Sequence, residues 1–238
     1  MTQNWANKAF APIKKWFPSW VANPVRGFAT ALLTPIVFSY RTGHFRSSLL
    51  AKAVQKNGNP LPWYTYPSID FLKNRSYADR TVLEFGAGQS TMWWAARAMN
   101  VLALEGDRAW YEEIADALPK NVELHLVSMA SSSACVSDVE RILGNKTRRF
   151  DVIVIDGLYR HEMIDLAKAL MKEDGMIICD NADGFGIYDA FRNSGLSRVD
   201  FYGYAPGVLS PHATSIFFKP GSFLFSAEHG ISAGGIVE

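Results

Sequence analysis

Val82-Leu-Glu-Phe-Gly-Ala-Gly-Gln-Ser-Thr91 is the stretch on which the fold of this 238-residue chain turns. A short apolar run leads into glycines at 86 and 88, and a helical pattern follows from about Ser90 to Met99. Glycine has no Cβ, so a strand-to-helix turn built this way lets backbone approach a ligand closely. A nucleotide-like ligand is expected there. Glu105 comes 19 residues after Gly86, at the end of the next apolar run. A carboxylate in that place can accept hydrogen bonds from both ribose hydroxyls.

Working outward, short apolar runs alternate with helical ones from residue 80 onward, the pattern of parallel strands joined by helical crossovers. The strands are expected at Thr81–Phe85, Val101–Glu105, Val122–Val127, Phe150–Asp156 and Met176–Asp180. Two later runs, Arg198–Tyr204 and Thr214–Lys219, have no helical segment between them and should pair antiparallel. The fold class is therefore α/β, a mostly parallel sheet with an antiparallel C-terminal hairpin and an N-terminal helical extension. Residues 1–69 form the extension, residues 70–219 the ligand-binding domain, and residues 220–238 a Gly- and Ser-rich tail left without structure.

The dinucleotide fingerprint asks for a third glycine where Thr91 stands. Glu84 would also repel a pyrophosphate, whereas it suits an ammonium group. At this point the chain resembles the class I S-adenosylmethionine-dependent methyltransferases, whose first motif is an acidic residue followed by alternating glycines, over roughly Asp79 to Lys219. The resemblance implies a Rossmann-like sheet with an antiparallel last strand inserted in it, and S-adenosylmethionine as cofactor. It matches Glu84, Gly86 and Gly88 to the first motif and Glu105 to the ribose-binding acid. Ser128 and Met129 fall on the adenine-side loop, and Asp156 on the later motif acid. Ser90 stands where the family has its third alternating glycine, a departure shared by subfamilies with a Gly-x-Ser-Thr turn, and with Thr91 it completes the cofactor set.

Asp151 to His161 is an apolar strand that delivers Asp156 to the carboxyl edge of the sheet, and Asp180 and Asn181 end the next strand. Asp156, Asp180 and Asn181 resemble the divalent-metal set of the catechol and caffeoyl-coenzyme A O-methyltransferases, and their oxygen donors suit Mg²⁺. The alternative is that Asp156 orients the cofactor while Asp180 and Asn181 cap a turn. Tyr159 and His161 follow Asp156 closely enough to line the same pocket. His161 is the first choice of general base, since imidazole titrates near neutrality, and His212 in the loop between the last two strands is the second. Trp63, Tyr64 and Tyr66 could roof the pocket or simply pack. Trp93, Trp94, Trp110 and Tyr111 read as core.

The net charge of +1 hides an asymmetry. No acidic residue precedes Asp70, and the first 69 residues carry eight of the 24 basic side chains, so they total +8 and the remainder −7. Trp5, Phe10, Trp16, Phe17 and Trp20 are interleaved with Lys8, Lys14 and Lys15, a composition that fits either a cap packed on its own domain or a membrane-interface segment. Pro24, Arg26 and Pro35 interrupt the apolar stretch Val21–Tyr40 and argue against a spanning helix. With two cysteines, one in a strand, a disulfide framework is not expected, which points to a cytoplasmic protein, at most at the inner face of a membrane through residues 1–40. The function expected is O-methylation of a small molecule or of a glycan or lipid-linked acceptor, with no nucleic-acid partner. The rivals are a non-catalytic adenosine-ligand module and an NAD-dependent oxidoreductase.

Overall fold

The structure is a computed structural model, which describes residues 18–144, 148–157 and 159–225. Three N-terminal helices, α1 (Ser19–Thr42), α2 (His44–Leu50) and α3 (Tyr66–Lys73), precede the repeating unit. It then runs β1 (Thr81–Phe85), α4 (Gln89–Ala95), β2 (Asn100–Glu105), α5 (Arg108–Ala115), β3 (Val122–Leu126), α6 (Ser132–Ile142) and β4 (Phe150–Ile155). It continues through α7 (Met163–Leu170), β5 (Met171–Cys179), α8 (Ile187–Ala190), β6 (Ser197–Gly203) and β7 (His212–Phe218).

The seven strands lie in the order β3-β2-β1-β4-β5-β7-β6. The first five are parallel, and β7 sits antiparallel between β5 and β6. This is the expected mostly parallel sheet with an antiparallel C-terminal hairpin, its last strand inserted between β5 and β6. Its interior strands are largely apolar because helices cover both faces. All six residues of β4, Phe-Asp-Val-Ile-Val-Ile, are buried. From Val152 onward alternation divides them between two cores: Ile153 and Ile155 pack with α6, α7 and α8, while Val152 and Val154 pack with Tyr64, Leu72, Trp93 and Trp94. Phe150 joins the first core across an irregularity in the register at 150–152. Both cysteines are free and buried, as the absence of a disulfide framework implied.

Two features set the position of the site. The carboxyl ends of β1, β2, β4 and β5 meet at one edge, bringing Gly86, Glu105, Asp156 and Asp180 together. Because β7 runs the other way, its first residue, His212, arrives at that same edge, and Cys179 of β5 pairs with Ser215 of β7.

The N-terminal region departs from expectation. Pro24 and Pro35 do not end α1, which is continuous over 24 residues. Each proline removes one backbone hydrogen bond, and the turns on either side hold the helix together. Nor does α1 pack on the domain as a cap: Trp20, Phe28, Leu32, Ile36 and Tyr40 are exposed, and Ala22 and Thr42 are its buried residues. Trp5, Phe10, Trp16 and Phe17 lie outside the described residues. The apolar spacing of Phe45, Leu49, Leu50, Ala53 and Val54 would carry a helix to Val54, but α2 ends at Leu50. Phe45, Leu49 and Leu50 face outward, and Ala53 and Val54 are buried beyond its end. At the other terminus, Phe223 and Leu224 of the expected unstructured tail form a 3-10 turn buried beside Tyr77.

Candidate active site

The first half of the site is a cavity of about 570 Å³ at the carboxyl edge, walled by the 86–90 turn, Glu105, Trp110, Met129, Asp156 and Trp63. Gly86 has φ +100°, and a Cβ there would lie 2.0 Å from the Asp156 carbonyl, so no other residue fits. Gly88 is different. Its backbone is extended, and no protein atom lies within 4 Å of where its Cβ would be. That open space belongs to the cavity, and a side chain would fill it.

Glu105 is nearly buried and held from three sides. Oε1 accepts from the N–H groups of Gly106 and Asp107 (both 2.7 Å), and Oε2 from Ala87 N–H (3.0 Å). Beneath the turn, the Thr91 hydroxyl accepts from Gly88 N–H (2.8 Å) and donates to Glu84 Oε2 (2.5 Å). Glu84 is fully buried, Oε1 has no hydrogen-bond partner, and burial pushes its carboxyl up to about 8. An unpartnered acid oxygen under a glycine turn and a carboxylate aimed at the cavity fit a ligand with a cationic amine and a ribose. Trp110 and Met129 supply apolar walls for a flat base. Trp110, a core residue by its place on a helix, instead borders the cavity with its ring, Nε1 donating to Ala87 O (2.8 Å). Ser90 lines the cavity, while Ser128 stands behind Met129, its N–H donating to Asp138 (2.9 Å).

The second half is a cavity of about 390 Å³ that shares Trp63 and Asp156 with the first and adds Arg160, Asp180, Asn181 and the 208–212 loop. Here two of the oxygen donors proposed for a metal, those of Asp156 and Asn181, do converge, but on a side chain. Arg160 donates from one nitrogen to the Asp180 carbonyl (2.7 Å) and Asn181 Oδ1 (2.8 Å), and from the other to Asp156 Oδ1 (2.9 Å). Among the described residues no group of three or more His, Cys, Asp or Glu side chains is placed to hold a metal ion. The possible Mg²⁺ site is not supported: the Arg160 guanidinium holds the oxygens of Asp156 and Asn181, and the sequence signals it only as an arginine four residues after Asp156.

The Asp180 carboxylate turns away from Arg160. Its Oδ1 accepts from the Thr214 hydroxyl (2.6 Å) and lies 3.3 Å from His212 Nε2. Burial alone would lower the His212 pKa, but the hydrogen bond to Asp180 and the nearby Asp183 and Asp156 raise it above the ordinary imidazole value. Burial and the Asp180 charge push Asp156 up to about 7, against the pull of Arg160 and His212.

Of the remaining candidates, His161, Tyr159, Tyr64 and Tyr66 line neither cavity. His161 is exposed beside Gly186. Tyr159, with φ +32°, sends its hydroxyl to the Met129 carbonyl (3.0 Å) and so props the wall of the first cavity from behind. Of the three aromatics preceding the domain, Trp63 roofs both cavities. Tyr64 and Tyr66 are buried, Tyr64 with its hydroxyl accepting from Trp94 Nε1 (3.2 Å).

No family model and no curated protein matches the chain. Among solved structures it is similar to a precorrin-6y C5,15-methyltransferase from Geobacter metallireducens, at 18% identity over 64% of this chain and 86% of that one, with a TM-score of 0.47. A methyltransferase from Pyrococcus furiosus gives 18% identity, 80% and 98% coverage and a TM-score of 0.47. The N-methyltransferase NodS from Bradyrhizobium japonicum gives 11% identity, 59% and 78% coverage and a TM-score of 0.42.

Proposed function

We propose that this protein is an S-adenosylmethionine-dependent methyltransferase acting on a hydroxyl-bearing acceptor. The observation that carries the reading is the shared wall: Trp63 and Asp156 line both cavities, so a ligand in the first meets a ligand in the second. Two adjoining cavities suit transfer between two bound molecules, where alignment of the reactants is most of the catalysis. A module that merely binds an adenosine compound has no use for the second cavity or for a histidine buttressed by an aspartate.

S-adenosylmethionine, when bound, supplies a methyl group activated by its sulfonium. The chain's residues do the rest. Glu105 takes the ribose, and Glu84 lies beneath the turn as the acid for the amine. Gly88 leaves the space that both need. In the second cavity His212 keeps its proton on Nε2, hydrogen-bonded to the Asp180 carboxylate, which leaves Nδ1 as the acceptor of the hydroxyl proton. The Asp180 carboxylate then stabilises the imidazolium. Arg160 ties Asp156, Asn181 and the Asp180 carbonyl into one fixed cluster and contributes the positive charge there.

The acceptor is small or lipid-linked. Trp63 and Val208 line the second cavity, and the exposed Leu209 and Phe185 adjoin lining residues, Leu209 beside Val208 in the loop and Phe185 against the Arg160 guanidinium, which favours an acceptor that carries apolar matter. Thermal unfolding with S-adenosylmethionine, S-adenosylhomocysteine and NAD in turn tests the cofactor, since a ligand that binds the native state alone raises the melting temperature. Stabilisation by the two sulfur compounds, lost in Glu105→Ala, is the expected result. Stabilisation by NAD alone would make the protein an oxidoreductase candidate and end the methyltransferase reading.

A further inference from the structure

Helix α1 is long, apolar and uncovered. Its 24 residues, at about 1.5 Å each, reach about 36 Å, against a bilayer hydrocarbon core of about 30 Å. An 18-residue window within it has a mean hydropathy of 1.3, and only 6% of that window is buried. Val25, Phe28, Leu32, Leu33, Ile36 and Tyr40 are all exposed, and no charged residue occurs between Gly27 and Tyr40. An aromatic residue stands near each end, Trp20 and Tyr40, where such rings settle at a membrane–water interface.

Charge complementarity says what covers it. All eight charged residues before Asp70 are basic, and Arg41 and Arg46 follow the apolar run directly. A purely cationic flank matches a surface of anionic lipid headgroups. Lack of hydration also explains the two prolines: inside a bilayer a helix remains the sole economical backbone state even with a missing hydrogen bond.

The helix is also joined to the second cavity. It ends at Gly43, with φ +80°, where a Cβ would lie 2.4 Å from the Val54 carbonyl, so the elbow into α2 is tightly set. Phe38 meets Tyr66 edge-on at 5.3 Å, fastening the base of α1 to the domain. His44 Nδ1 then accepts from Gly207 N–H (3.3 Å), and Gly207 lies so close to the Ser47–Ser48 backbone that a Cβ would come within 2.9 Å. Gly207 precedes the 208–212 loop that walls the acceptor cavity, and Leu209 of that loop is 93% exposed.

We propose that α1 is a retained membrane anchor embedded in an anionic bilayer, and that it holds the acceptor cavity at the lipid surface so that the acceptor is a bilayer-borne amphiphile. The anchor stands on the helix alone; the nature of the acceptor rests also on the methyltransferase reading above. The test is flotation of the full chain with vesicles of phosphatidylcholine containing phosphatidylglycerol, against phosphatidylcholine alone, followed by washes in 1 M salt and in carbonate. The protein is expected to float, to float more with the anionic vesicles, and to resist both washes. Leu32→Lys/Ile36→Lys should lower the floated fraction at least tenfold while leaving stabilisation by S-adenosylmethionine unchanged. A wild type that stays with the soluble fraction overturns the anchor. So does a lipid-free dimer that this double substitution dissociates, because the helix would then be covered by a second copy. Labelled methyl groups from S-adenosylmethionine recovered in the organic extract of cell membranes support the amphiphile, and recovery only in the aqueous phase overturns it. If S-adenosylmethionine gives no stabilisation, the methyltransferase reading fails, and flotation still decides the anchor by itself.

Discussion

The two halves of the active-site edge are built in different ways. The cofactor half centres on one continuous turn, Gly86 to Ser90, backed by the buried Glu84 and Thr91 and joined by Glu105–Asp107 from the neighbouring strand, with single residues such as Trp63, Trp110 and Met129 as its outer walls. What it presents to a ligand is largely backbone and the absence of side chains. The acceptor half is drawn from four separate segments, around Trp63, 156–160, 180–181 and 208–212, and presents charged side chains that hold one another. A local turn can bind a constant part of a ligand by shape. A chemical step needs groups brought from different strands, each tuned by its neighbours.

If that division is real, substitutions in one half should leave the other's readout intact. His212→Gln carries the largest expected effect, a fall in kcat on the order of 10²–10⁴-fold, with stabilisation by S-adenosylmethionine unchanged. In the wild type kcat should climb as pH rises through a value above the usual imidazole range, because the base works only when neutral and Asp180 raises its pKa. Loss of cofactor stabilisation in His212→Gln would break the comparison. Next, Glu105→Ala should weaken S-adenosylhomocysteine by about 30- to 100-fold in calorimetric titration, the worth of charged hydrogen bonds to two hydroxyls.

A smaller effect is expected at Glu84, whose folded-state carboxyl titrates at about 8 against about 4.5 when unfolded. The native state therefore holds a proton that the unfolded chain has given up, and stability should fall as pH rises between those values. Glu84→Gln should flatten that decline in melting temperature between pH 5 and pH 8; an unchanged slope would show that Glu84 is ionised in the free protein. The smallest effect belongs to His161→Ala, within about twofold in kcat, since an exposed side chain outside both cavities has no proton to take. A loss approaching that of His212→Gln would reverse the assignment of the base.

Much of the site was legible because it is local. Periodicity located every strand to within a few residues, except that β5 begins five residues early, at Met171, where Phe150 pairs with it across an irregular register. The glycine turn and Glu105 were legible for the same reason, as neighbours in one βαβ unit. Arg160 was not. An arginine in a loop carries no mark of which carboxylates will surround it, and Asp156 and Asn181, two of the donors proposed for a metal, gave no sign that a side chain would arrive first. The choice of histidine failed to register the same kind of fact: nearness in sequence favoured His161, five residues from Asp156, whereas His212 sits 32 residues from Asp180 and reaches it across a strand pair. Trp110 was assigned to the core because its helix looks amphipathic, but that helix starts at the cavity rim.

The N-terminal helix shows the opposite limit. Its composition was plain in the sequence, but Pro24 and Pro35 were weighed as breaks, and only the folded chain shows a continuous helix with its apolar residues uncovered. The sequence by itself determined the elements of this protein, the mostly parallel sheet and the ligand turn, because hydrophobic period and glycine geometry act over a few consecutive residues. Only the tertiary structure decided which charged groups meet at the acceptor end and which apolar surface goes unburied. The first depends on strand order, and above all on β7 being inserted antiparallel, which carries His212 to an edge otherwise built from the ends of parallel strands; the second depends on how the N-terminal helix leaves the domain at Gly43.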